Sequence, residues 1–411
     1  MDCKFSFRGK RFTLRFLQIL ALVGSLVSLR CNLFGDEQPS GTASEKFPFT
    51  PGLPISVPVE IFGQIQHLYV STGVGVTFLD DSYREKLRRL PIPGTLKFPP
   101  TTEGFEFYPF PEIKVAKVNP DHFCGMGPIG VFLKMRDFLP EYGSEGTGFL
   151  GMDYLQTKVL RICPDEGFAQ IDSVATMQSE NAERITLRAN ATNMLIKLPS
   201  GFQGSTVSTV ATDSVVLTPA IFNNLLAKRQ IVLTQPRSDM LKSQSRSEGI
   251  MQWLEIGPYR MHNILVHEGQ TVSIGPMVLA RFEMEFDFPN RIAYFKPSKR
   301  FYLAELRSRS GFGTSRYEGR TFIRGVNPAS VAANLDICNG DRLLKINGAD
   351  ADQLSIFKIR EMHSQPGVEL TLTIERDGET RDVVLQTTNE PDPFPASPEQ
   401  TAEVPSFDFD K

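Results

Sequence analysis

Between residues 55 and 300 the apolar positions fall in short runs, either alternating with polar ones or built from β-branched side chains. They are Ile55 to Ile61, His67 to Val70, Ile113 to Val118, Ala169 to Val174, Arg184 to Leu187, Thr206 to Leu217 and Arg291 to Phe295. A period of two predicts half-buried strands. Helical spacing is scarce. Asp81 to Leu90 predicts one short helix capped by Asp81 or Ser82, and Thr218-Pro219 opens another, with proline at the first helical position before Ala220 to Leu226. Each follows a strand ending in leucine, Leu79 or Leu217. Farther along, Gly151, Leu155 and Val159 to Ile162 match Gly275, Leu279 and Phe282 to Phe286 at an offset of 124 residues. The pattern predicts two related β-rich lobes, 56–178 and 180–302, with chance similarity among short apolar strands as the alternative.

From residue 305 to 387 the pattern becomes that of a small mixed module. Thr321 to Val326 predicts a strand, Asn327-Pro328-Ala329-Ser330 caps a short helix over Val331 to Leu335, and Asn339-Gly340-Asp341-Arg342 turns into a strand from Leu343 to Ile346. Asn347-Gly348 makes the next turn. Gln353 to Ser364 has helical spacing and ends at Pro366-Gly367. Val368, Leu370, Leu372 and Ile374 then alternate strictly, Asp377-Gly378 turns, and Val383 to Leu385 closes the set.

Composition changes this picture only at the two ends. The 411 residues carry 44 Lys plus Arg against 47 Asp plus Glu, a formal net charge of -3, which speaks against a dedicated nucleic-acid binder. Lys4, Arg8, Lys10, Arg11 and Arg15 precede an apolar run from Phe16 to Leu29. That is the shape of a secretory signal over residues 1–31, with a retained N-terminal anchor as the alternative and the only expected membrane contact. Export places the protein in the periplasm, cell envelope or medium. Residues 32–55 read as a flexible leader rich in Gly, Pro, Ser and Thr. Residues 388–411, with six acids, one lysine and several prolines, read as a disordered acidic tail. The five cysteines form no Cys-x-x-Cys, and the five histidines show no ligand spacing, so neither a metal nor another cofactor is expected. Cys124 and Cys163 are either a disulfide pair or two buried thiols.

Two family resemblances follow from these residues. His67-Leu-Tyr-Val-Ser71-Thr72-Gly73-Val-Gly75-Val-Thr-Phe-Leu79 resembles the active-site strand and loop of aspartic proteases, whose motif is Asp-Thr-Gly. Phe149-Leu150-Gly151 through Leu155, and Ser273-Ile274-Gly275 through Leu279, resemble the element that packs against that loop in each lobe. The resemblance covers 56–302 and implies a mainly β, two-lobed body with a central cleft. Family chemistry requires two carboxylates about 3 Å apart sharing one proton. Here Ser71 stands in the first acid's place, while Thr72 and Gly73 are kept. In the second lobe, alignment on Leu217 puts Thr209-Val210-Ala211 in the motif; a four-residue contraction puts Asp213-Ser214-Val215 there and restores one acid. Asp80, Asp81, Asp153 and Asp287 read as caps or strand-end residues.

The string from Pro328 to Gly348, with Gly340-Asp341-Arg342-Leu343-Leu344 before Ile346-Asn347-Gly348, resembles bacterial members of the PDZ family. It departs from them at Asn334, where a glycine is usual, and in a longer turn from Leu335 to Gly340. The resemblance implies a β-sandwich with two helices that binds a peptide or protein C-terminus along a groove between a strand and the long helix. Gly311-Phe312-Gly313 resembles the loop whose N–H groups hold the terminal carboxylate, and Arg307 and Arg309 add charge nearby. Ile356, Ile359 and Arg360 are the groove-facing candidates on the helix, core packing being the other reading of the two isoleucines. The expected function is non-catalytic: an exported, peptide-binding PDZ protein on an inactive protease-like body. The alternatives are an aspartic-type endopeptidase with a substrate-recruiting PDZ domain, and an assembly protein of the cell envelope.

Overall fold

Strands form where one side chain in two can leave water. In Ser56–Ile61 the residues Val57, Val59 and Ile61 are buried while Glu60 between them is exposed, the alternation of a strand with one covered face. The computed structural model describes residues 46–52, 54–75, 77–86, 113–115, 131–133, 146–177, 182–188, 192–210, 214–238, 245–302, 306–317 and 319–394.

The first part of the chain contributes β1 (Phe47–Pro48), β2 (Ser56–Ile61), β3 (Gln64–Val70), β4 (Phe78–Asp80), β5 (Ile113–Val115), β6 (Val131–Leu133), β7 (Gly148–Leu150), the short helix α1 (Met152–Leu155), β8 (Val159–Cys163) and β9 (Phe168–Asp172). The second contributes β10 (Glu183–Arg188), β11 (Asn193–Lys197), β12 (Gln203–Val207), β13 (Val215–Leu217), α2 (Pro219–Ala227), β14 (Ile231–Ser238), β15 (Ser245–Ile256), β16 (Tyr259–Glu268), β17 (Ser273–Ile274), α3 (Pro276–Leu279), β18 (Phe282–Asp287) and β19 (Ile292–Pro297). The helix expected over Asp81 to Leu90 is a 3-10 turn over Asp81–Lys86, and Leu90 lies outside the described residues. The run Thr206 to Leu217, read as one strand, is two: β12 ends at Val207 and β13 starts at Val215.

The two halves repeat the same unusual crossing. β3 runs parallel to β7, with Tyr69 opposite Phe149, while β4 is antiparallel to β7 and parallel to β6. β12 runs parallel to β17, with Thr206 opposite Ser273, while β13 is antiparallel to β17 and parallel to β16. In the second half the order β11-β12-β17-β13-β16-β15 closes into a barrel because β11 also pairs with β15. The halves meet edge to edge at β8 and β18, where Arg161 lies opposite Glu285. Those two residues are related by the 124-residue offset, so an approximate twofold axis passes between them. A single hydrophobic core runs through both halves.

A separate core holds the C-terminal module, with Phe312, Ile323, Leu343, Ile346, Ile359, Leu370, Leu372 and Leu385 among its members. Its elements are β20 (Gly313–Tyr317), β21 (Arg320–Arg324), α4 (Val331–Asn334), β22 (Arg342–Ile346), β23 (Ala349–Asp350), α5 (Ile356–Ser364), β24 (Glu369–Arg376) and β25 (Glu379–Gln386), in the sheet order β20-β21-β22-β24-β25. Ser330 caps α4 through Ala333 N–H and Ser355 caps α5 through Lys358 N–H. The departure at Asn334 has a plain outcome. The left-handed residue that ends α4 is Asp336 (φ 57°), whose N–H reaches Ala333 O while Ile337 N–H reaches Ala332 O. This pair of bonds closes the helix two positions later than a glycine at 334 would.

Candidate functional site

Among the described residues two places are candidates for chemistry or binding: the loops that meet on the twofold axis, and the edge of the module's sheet. On the axis, Ser71-Thr72-Gly73 follows β3 and Ser208-Thr209-Val210 follows β12. The backbone N–H of Thr72 donates to Thr209 Oγ1 at 3.1 Å, and that of Thr209 to Thr72 Oγ1 at 3.2 Å. Each hydroxyl then donates across the axis, Thr72 to Val207 O at 3.0 Å and Thr209 to Val70 O at 2.6 Å. Four buried bonds clasp the two halves at the centre, each contributing about 1 kcal/mol net and costing more if only one partner is removed. A β-carbon on Gly73 would sit 3.1 Å from Ser208 Oγ, so the second loop passes directly against the first.

This geometry corrects the register expected in the second half. Ser208, Thr209 and Val210 occupy the positions matching Ser71, Thr72 and Gly73; Thr209-Val210-Ala211 is displaced by one. The paired strands explain the slip. At the loops the halves are offset by 137 residues, Tyr69 matching Thr206, whereas Leu79 and Leu217 are offset by 138. One extra residue lies in the second loop. Asp213 lies outside the described residues. The loop-leading positions therefore carry two serines. Ser71 is fully buried, and its hydroxyl has no hydrogen-bond partner among the described residues; Ser208 is half-buried.

The nearby acids have other work. Asp153 in α1 accepts from Thr77 N–H (3.0 Å), Thr77 Oγ1 (2.7 Å) and Tyr154 N–H (3.0 Å), and Thr77 Oγ1 in turn accepts from Gly151 N–H. Burial pushes its carboxyl above the ordinary range, against the pull of those hydrogen bonds. Asp287 takes Asn290 N–H and Nδ2, a turn. Asp80 accepts from Ser82 N–H at the start of the 3-10 turn. Cys163 is a buried free thiol and Cys124 lies outside the described residues. Among the described residues no cluster of His, Cys, Asp or Glu is placed to hold a metal ion, and no helix is long and apolar enough to cross a membrane.

In the module, β20 is the terminal strand of its sheet, with no further strand beside it among the described residues. The loop Gly311-Phe312-Gly313 leads into it. Gly311 is left-handed (φ 86°), and a β-carbon there would fall 2.0 Å from Ser330 Cβ, so only glycine fits. Asn327 N–H donates to Gly311 O, Ser308 Oγ holds Phe312 O at 2.6 Å, and Gly311 N–H donates back to Ser308 Oγ. Phe312 is buried against His363 of α5, ring centres 5.3 Å apart. Arg324, directly opposite Gly313, donates from Nε to Thr314 O at 3.2 Å; burial and the charge of Arg360 pull its guanidinium down to about 9.

The residues singled out from the sequence divide accordingly. Gly311, Phe312 and Gly313 form the loop at the mouth of the edge strand. Ile356 and Ile359 belong to the module's core, Ile359 with no exposure at all, and Arg360 is half-buried on the next position of α5. Arg307 and Arg309 turn the other way and clasp the backbone at Glu390. Asp341 and Arg342 are structural: Asp341 is buried, taking Cys338 N–H and Arg376, and Arg342 pairs with Asp352 at 3.2 Å. Thr209 and Ser208 carried a readable signal, a Ser-Thr dipeptide after a strand, hidden by the extra loop residue. Asn263 and the segment after Thr387 carried none.

Compared with protein-family models, residues 303–375 match the PDZ domain, and this part of the chain is a PDZ domain. A comparison of the whole chain with characterised proteins finds no match.

Proposed function

We propose that the protein binds the free C-terminal end of a peptide or protein partner in its PDZ groove, and that its N-terminal body is an aspartic-protease-like scaffold without hydrolytic function. The observation that carries this is the open edge of β20 beside α5, entered through a loop whose Gly311 no other residue type can replace. A peptide adds there as one more antiparallel strand, using main-chain bonds for affinity and alternate side chains for specificity. The Phe312 N–H has no acceptor among the described residues and is available to a terminal carboxylate.

For the body, the support is the repeated strand crossing and the reciprocal threonine bonds, set against serine at both loop-leading positions. Serine ionises far above neutrality, so a pair of serines cannot share a proton as a carboxylate pair does. The basic and apolar start of the chain supports a place outside the cytoplasm.

The test is a library of random heptapeptides with free C-termini, panned against the full chain. Recovered binders should lose binding when their terminal carboxylate is converted to an amide. Binders that do not depend on the terminus would overturn the reading. Incubation of the full chain with denatured casein between pH 3 and 7 should give no cleavage; cleavage blocked by a statine-containing inhibitor would make the body an active peptidase.

A further inference from the structure

The segment after β25 is tied at both ends. Thr387 Oγ1 donates to Gln365 O at 2.7 Å, and Thr388 N–H donates to Arg309 O at 2.9 Å. Arg309 N–H donates in turn to His363 O, at the end of α5, at 3.0 Å. The backbone entering the Gly311 loop is thus held between α5 and the segment, and Phe312 packs on the same His363. Farther on, Arg307 Nη2 donates to Glu390 O (2.9 Å) and Pro391 O (3.3 Å), and Arg309 Nη1 also bonds Glu390 O. Asp392 lies 3.5 Å from Arg307 and 3.7 Å from Arg309, whose side chains are only 10% and 11% exposed. At Phe394 the segment reaches the barrel. Phe394 N–H donates to Asn263 Oδ1 at 3.3 Å and Phe394 O accepts from Asn263 Nδ2 at 3.0 Å. The side-chain amide of a β16 residue therefore stands in for a strand partner.

We propose that residues 387–394 form a latch: by bracing Arg309 against the barrel, the segment holds the carboxylate loop in its binding shape and raises the affinity of the groove for chain ends. This rests on the reading of the groove given above. Among the described residues no hydrogen bond or ion pair joins the segment to β20, so the edge is left to the peptide. The segment's effect is to remove freedom from the loop before the ligand arrives, which lowers the ordering cost that binding otherwise carries. The clamp holds the Glu390 and Pro391 carbonyls by hydrogen bonds, and the Asp392 and Glu390 carboxylates both bear on Arg309 by charge.

The experiment uses the full chain and the tightest free-acid heptapeptide from the panning above. Asn263→Gly keeps the left-handed conformation (φ 54°) and removes both bonds to Phe394. The double variant N263G/D392A should bind roughly tenfold more weakly. A chain ending at Asn389 should match the double variant, and it answers the question if that variant fails to fold. Hydrogen exchange at the Arg309 and Gly311 amides should speed up in both, with or without peptide. Unchanged affinity and unchanged exchange would overturn the latch. A parent chain that binds acid and amide peptides alike would instead overturn the groove reading, while exchange at Arg309 would still decide the latch.

Discussion

Single side chains decide whether the axis holds and whether the groove opens. Thr72→Val would strand the buried Thr209 N–H and Val207 O, and should cost about 2–4 kcal/mol in denaturant unfolding. Adding Thr209→Val should cost distinctly less than the sum, because both residues serve one network; additive losses would show the bonds to be independent. Gly311→Ala should destabilise the PDZ domain by about 2 kcal/mol or more, from left-handed strain and the clash with Ser330, and should abolish peptide binding. Asp153 has a signature in pH. Its carboxyl sits above the ordinary range when folded, so over that window the folded state keeps a proton the unfolded chain has released. Its contribution to stability falls as pH rises from about 4 through the folded value. Asp153→Asn should flatten that fall in melting temperature, whereas an unchanged slope would place the titration elsewhere.

At the level of elements, legibility followed periodicity. The strand-helix-strand order of the module was readable because each turn carries Gly, Asn or Asp at a position that demands it. The duplication was readable where the offset of 124 runs without insertion, from β7 to β9 and from β17 to β19. It blurred at the central loops, where one added residue moved Thr209 into the slot that Ser208 fills. The latch was illegible for a different reason. Glu390-Pro391-Asp392 has the composition of a disordered tail, yet side-chain donors on Arg307, Arg309 and Asn263 hold its backbone, and such bonds leave no period in the chain. The groove-facing assignment of Ile359 gave way to the core because α5 has three apolar positions in its first turn, and burial decides among them.

Across the whole molecule, the described residues hold two separate hydrophobic cores. Phe357 on α5 is buried outside the PDZ core, at the place where a β-carbon on Gly52 would come 3.2 Å from its ring and 2.6 Å from Met277 Sδ of α3. Partial burial pulls the guanidinium of half-buried Arg300 down, and the charges of Asp165 and of Glu361 on the same helix oppose this. Phe357→Ala should remove about 3–4 kcal/mol of packing and let the PDZ domain melt apart from the body. Differential scanning calorimetry should then resolve two transitions where the parent has one; a single transition in both would mean that other contacts carry the coupling.

The central claim is that the PDZ groove takes a free chain end. Calorimetric titration of the full chain with one heptapeptide, as free acid and as C-terminal amide, tests it most directly. A carboxylate held by backbone N–H groups forms charge-assisted bonds worth about 1.5–3 kcal/mol, so the acid should bind at least tenfold more tightly. Equal affinity for the two would contradict it.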